Sequence, residues 1–232
     1  NFIFEKNITI LRTANAPVAA TAKKNKQKNA TATTSSTIIT PAYNVRFFPE
    51  GGSMLSGVSS VVAVKAEDAA GRGIAVAGII ANNAGVTVGN FSCDSLGFGS
   101  FTINPKAGQH YQARANIGGL PYSFPLPQAL IAGFSLSLNP ITDTLVAMVK
   151  CNTATFTSNN GQRLYLTAQH GGETYVSKVI PVSSEINMLK MPDSWFPEGV
   201  ACVTVGDENW GRLSGRLVYV HHPNGVKLNV ST

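Results

Sequence analysis

Phe48-Pro49-Glu50-Gly51 recurs as Phe196-Pro197-Glu198-Gly199, and each copy opens a series of short Val-, Ile- and Phe-rich runs parted by Gly-rich turns. A repeated segment of this kind predicts two β-modules in tandem. It favours a structural or interaction protein over a single-pocket enzyme.

Working outward from the first copy, Val62-Ala63-Val64-Lys65 alternates apolar and polar or small residues, as a strand with one buried and one solvated face does. Runs at 58–66, 74–80, 85–91, 98–103 and 110–115 are separated by Asp68-Ala69-Ala70-Gly71, Asn82-Asn83-Ala84-Gly85 and Asn104-Pro105-Lys106-Ala107-Gly108. A second series covers 133–138, 145–151, 163–169, 174–180, 186–189, 200–205, 213–220 and 226–230. Strands recurring every 8 to 12 residues between such turns are the mark of a sandwich. The expected fold is all-β, two tandem immunoglobulin-like sandwiches with an N-terminal strand and a linker. Gly118-Gly119, Pro121, Pro125 and Pro127 break the series and suggest the division. The expected parts are an N-terminal strand at 1–12, a Lys/Thr/Ala-rich linker at 13–43, a first sandwich at 44–117 and a second at 118–232. Only 127–132 is expected to hold a helical turn, with Pro127 at its start.

The net charge of +6 is local. Seven basic side chains and one acidic one fall in residues 1–46, and the remaining 186 residues carry eleven of each. The tract Lys23-Lys24-Asn25-Lys26-Gln27-Lys28 has no interleaved aromatic residues to stack on bases, so a solvated linker is expected and no nucleic acid. No run reaches the roughly 18 apolar residues of a membrane span. The alternating run Phe2–Leu11 at the start suggests a piece of a longer product.

Cys93, Cys151 and Cys202 are odd in number and lack metal-site spacing, which argues against zinc and against a disulfide framework. Cys151 and Cys202 fall in one module and either pair or stay as free thiols. Motifs for metalloprotease, serine hydrolase, phosphate-loop and dinucleotide chemistry are missing, so neither catalysis nor a cofactor is expected. His221-His222 are adjacent in a strand-like run and would face opposite sides. His110 and His170 lie beside turns. Glu50 and Glu198 are expected in separate sandwiches, each accepting bonds from turn amides. Tyr111 follows the Pro105–Gly108 turn and is placed like a tyrosine corner. Trp195, beside Phe196, reads as core. Trp210, in the polar loop Asp207-Glu208-Asn209-Trp210-Gly211, is the one candidate partner contact, unless it folds back on the sandwich.

The stretch Val45-Arg46-Phe47-Phe48-Pro49-Glu50-Gly51-Gly52 continues into Leu55-Ser56-Gly57, Val62–Ala66, Asp68, Gly71, Gly97-Phe98-Gly99-Ser100-Phe101, Pro105, Gly108 and Tyr111. It resembles the macroglobulin-type sandwich domains of long Bacteroidetes envelope proteins related to α-2-macroglobulin. Phe196–Ala201 with Thr204, Asp207 and Arg216–Val220 is similar to the next domain of such chains, so the resemblance spans about residues 44–222. It implies a non-catalytic structural or protein-interaction module of a larger periplasmic or outer-membrane-associated protein, in some cases tied to TonB-dependent transport. Its partners would be other domains of a longer parent chain or an envelope protein. The Cys-Gly-Glu-Gln thioester of the protease-trapping relatives is missing, because Asp94, Asn152 and Val203 follow the three cysteines. Two alternatives stand beside this reading, a carbohydrate-binding or adhesin-type module and an accessory domain of an envelope hydrolase or transport system.

Overall fold

The computed structural model describes residues 43–222. The expected N-terminal strand at 1–12, nearly all of the linker and the run at 226–230 lie outside the described residues.

Among the described residues, fourteen strands form two sandwiches of the same plan. The first comprises β1 (Tyr43–Pro49), β2 (Ser60–Asp68), β3 (Val76–Asn82), β4 (Thr87–Cys93), β5 (Phe98–Ile103), β6 (Tyr111–Ile117) and β7 (Leu120–Pro125). Its strands run in the order β1-β2-β5-β4-β3-β6-β7, but β4 meets β5 at the single pair Cys93↔Gly99. The sheet folds at that hairpin into β1-β2-β5 facing β4-β3-β6-β7. Phe47 of β1 meets Phe91 of β4 edge-on across the gap, with ring centroids 6.2 Å apart.

The second sandwich comprises β8 (Ser135–Ile141), β9 (Thr144–Lys150), β10 (Arg163–His170), β11 (Glu173–Pro181), β12 (Ile186–Pro192), β13 (Gly199–Gly206) and β14 (Arg212–Val220). Its sheets are β8-β9-β12 and β11-β10-β13-β14. Numbered within its own module, each sandwich is therefore 1-2-5 against 4-3-6-7. The fourth strand pairs with the third, which puts it in the sheet opposite to that of a constant-type immunoglobulin domain. The chain is thus an all-β structural duplication. Each module has its own core, one around Val62, Val64, Ile80 and Ala113, the other around Leu136, Val149, Leu166 and Val203.

The tetrapeptide repeat does not mark this duplication. The first copy ends strand 1 of its module, whereas the second precedes strand 6. The resemblance between the modules lies in strand order.

The expected division at 118 is also corrected. Gly118 and Gly119, with φ of 60° and 82°, make a two-residue hairpin turn between Ile117 and Leu120, and β7 continues the first sheet. Pro121 and Pro125 are tolerated because β7 is an edge strand, where a missing N–H costs no ladder bond. Leu126 and Ala129 still belong to the first core, and Leu55 bridges to Leu130, so the first module runs to about residue 130.

No helical turn forms at 127–132. Among the described residues the α-helix is α1 (Thr153–Asn159), between β9 and β10. Asn152 caps it by accepting from the Thr155 amide at 3.0 Å, and Phe156 packs on the second core. Its Thr-rich sequence has weak helix propensity, and packing holds it.

Candidate binding site

Four loops share one construction. In Asp68–Gly71, Asn82–Gly85, Asp94–Gly97 and Asp207–Trp210, the first side chain's Oδ1 accepts from the amides two and four residues on, at 2.8–3.0 Å. The fourth residue's amide returns to the first carbonyl in every case, at 2.9–3.1 Å. Asp and Asn are suited to such turns because their short side chains reach their own backbone. Asp68 and Asp207 thus cap their own turns.

The fourth position is left-handed, with φ of 78°, 79° and 79° at Gly71, Gly85 and Gly97. In the last loop it is Trp210, at φ 61°. A side chain there costs about 1–2 kcal/mol that glycine avoids. The ring gains little burial in return, since Trp210 is 69% exposed. Its centroid lies 5.4 Å from that of Tyr165 on β10, with the planes tilted by 39°. Trp210 therefore rests on a residue of its own sheet and contributes nothing to the core.

Beside this pair lies a groove of about 640 Å³, between the loop following β13 and the turn that leaves α1. Its walls carry Tyr165, Asn159, Gln162, Arg163, Glu208 and Asn209. These are the second-to-third and sixth-to-seventh strand loops of the module. In immunoglobulin variable domains the equivalent end of the sandwich carries the antigen-binding loops. The sequence exposed Trp210 as a candidate but not Tyr165 or α1, which only the sheet register brings beside it.

A second cluster joins the modules. The Ser214 hydroxyl donates to the Gly51 carbonyl at 2.7 Å and accepts from the Leu136 amide at 2.9 Å. Arg216 of β14 pairs with Glu50. The Asn152 side-chain amide donates to the carbonyls of Ile131 at 2.7 Å and Ser56 at 3.0 Å, while its oxygen caps α1.

Glu50 and Glu198 lie in separate sandwiches as expected, but the expectation that turn amides bond them is corrected. Glu50 meets a guanidinium of the other module, and Glu198 accepts from Tyr219 at 3.3 Å and faces His221 at 3.4 Å. That carboxylate, by its charge and then by its hydrogen bond, holds the Tyr219 phenol above its ordinary range. His222 turns the other way, to the Phe196 carbonyl at 2.9 Å. His170 sits over Gly199 and reaches the Val200 carbonyl at 3.1 Å, and His110 borders a hollow beside Tyr111. Trp195 is corrected too: it is 40% exposed under the Lys178 ammonium, and Phe196 fills the core instead. The three cysteines are free, Cys93 and Cys151 in the two cores and Cys202 partly exposed.

No protein-family model and no curated protein matches the chain. Among solved structures, native Escherichia coli α-2-macroglobulin aligns over 78% of this chain and 14% of its own, at 12% identity and a TM-score of 0.26. Apo β-glucuronidase 3 of Bacteroides uniformis aligns over 77% of this chain and 25% of its own, at 12% identity and a TM-score of 0.28. The chain thus spans a minor part of either protein, and likeness at this level bears on neither ligand nor activity.

Proposed function

We propose that this chain is a non-catalytic structural and interaction module of a larger cell-envelope protein, with its two sandwiches held as one rigid spacer. The observation that carries the reading is the seam at Ser214, where one buried hydroxyl satisfies a carbonyl of the first module and an amide of the second. Inter-domain motion is the usual expectation for tandem domains, and a seam tied through Gly51, Glu50 and Asn152 opposes it. The repeated motif's carboxylates support a non-catalytic role, since Glu50 is engaged by Arg216 and Glu198 by Tyr219 and His221. A periplasmic or outer-membrane-associated location belongs to the same proposal and is supported by the macroglobulin-type sequence pattern.

Residual dipolar couplings on the whole chain test the spacer. A single alignment tensor fitting both modules is expected. Two tensors of different magnitude would overturn it.

A further inference from the structure

We infer that the groove between the α1 turn and the Asp207–Trp210 loop binds a neutral oligosaccharide, with Trp210 and Tyr165 as its stacking platform. The proposal goes beyond the spacer reading and does not depend on it.

Three observations point to that chemistry. The first is the substitution of Trp for Gly at the left-handed position of a loop whose three counterparts in this chain all keep Gly. Strain borne by an exposed ring is not a folding device, because glycine would build the same turn at lower cost. The second is the ring's setting. Tyr165 lines a groove whose volume lies in the usual range of small-molecule sites, and the exposed Trp210 ring, 5.4 Å from it between centroids, extends that aromatic surface from the side.

The third is the polar lining. Asn159, Gln162 and Asn209 are planar amides, each offering a donor pair and an acceptor, and Arg163 adds one positive charge against the two carboxylates of Asp207 and Glu208. A pyranose needs this combination. Its C–H face stacks on an aromatic ring, and its vicinal hydroxyls donate and accept at once. The excess of carboxylates over cations disfavours a phosphate or a polyanion. The abundance of polar groups disfavours an apolar peptide anchor, which would leave them unpaired.

The test uses the intact chain and a panel of neutral oligosaccharides, four to six residues long, built from glucose, mannose, galactose or N-acetylglucosamine. Binding is followed by the indole N–H signals in NMR. The chain has two tryptophans, and Trp195 borders a separate hollow beside Lys178, so it serves as an internal reference. At least one oligosaccharide is expected to shift Trp210 and not Trp195. Trp210→Gly should keep or raise the melting temperature and weaken binding by about tenfold or more. Glu208→Ala should weaken binding by a smaller factor with the fold intact.

No shift of Trp210 with any member of the panel would overturn the inference. Binding that survives Trp210→Gly, or a fall in melting temperature for that variant, would do the same. Neither failure touches the spacer proposal, whose readout is the relative alignment of the modules.

Discussion

Ser214 and Gly51 stand 163 positions apart in the chain, yet the serine hydroxyl donates to the glycine carbonyl at 2.7 Å and leaves Ser214 only 4% exposed. Because the same oxygen accepts from the Leu136 amide, Ser214→Ala leaves that buried amide without its partner and the Gly51 carbonyl with only the longer bond from the Gly215 amide, at 3.4 Å. A cost of about 1–3 kcal/mol is expected. Denaturant unfolding checks the magnitude. Faster hydrogen exchange at Leu136 would place the loss at the seam.

Gly51 tests the same seam from the other side. A Cβ built there falls 2.8 Å from Leu136 backbone atoms and from the Ser214 Oγ, and its φ is +79°. Gly51→Ala therefore combines left-handed strain with overpacking against main chain, and about 2 kcal/mol or more is expected. Gly52 also has positive φ but meets nothing within 4 Å, so Gly52→Ala should cost less. Equal melting temperatures for the two variants would contradict the close approach.

How far the sequence reaches can be judged from particular elements. The strands of the second module were legible because Val, Ile and Leu alternate between Gly, Asn and Asp turns, and the three Asx loops of the first module announce themselves by Asp or Asn three residues before Gly. Strand β7 was read as a boundary because prolines disqualify a central strand, and a sequence does not reveal which strands lie at an edge. Helix α1 was missed because Thr and Asn are weak helix formers, and the only local signal is the Asn152 cap. The Glu50–Arg216 pair and the Tyr165–Trp210 contact join residues 166 and 45 positions apart, and neither has a local signature. The repeated tetrapeptide misled for a related reason. Short Pro-Glu-Gly turns serve strand ends of any rank.

Tyr111 was legible, and its role is open to test. Its phenol oxygen accepts from the Lys106 amide at 2.9 Å, five residues back, where a tyrosine corner closes the approach to the sixth strand. Tyr111→Phe removes that acceptor and should cost about 1 kcal/mol. An unchanged melting curve would show that water replaces the hydroxyl at no cost.

The thiols should separate by burial. Burial first, and then the charges of Asp94 and Glu185 respectively, push the Cys93 and Cys151 thiols up. Both therefore hold less thiolate at neutral pH than an ordinary cysteine, and both lie inside the cores. Cys202 lies on β13 with its sulfur 3.8 Å from the Thr204 hydroxyl and is partly exposed. Iodoacetamide under native conditions should label Cys202 first, and all three after urea unfolding. Mass spectrometry of the labelled peptides reads the order.

Asp68 should titrate below the ordinary aspartate value of 3.8. The Arg72 amide contributes most to this, followed by its guanidinium and the Ala70 amide, while partial desolvation opposes them. A folded-state value below the unfolded one stabilises the fold fully above the unfolded pKa, and that contribution fades as pH falls through the lower folded value. The window is therefore acidic, below about pH 4. Because a main-chain donor contributes most, Arg72→Ala should move the NMR midpoint of Asp68 only part of the way back to 3.8. Asp68→Asn should leave the loop intact at neutral pH, since Asn82 builds the same turn with an amide oxygen, and it should abolish this acid-dependent part of the stability. A full return of the midpoint in Arg72→Ala would mean that the guanidinium, and not the turn, holds the carboxylate.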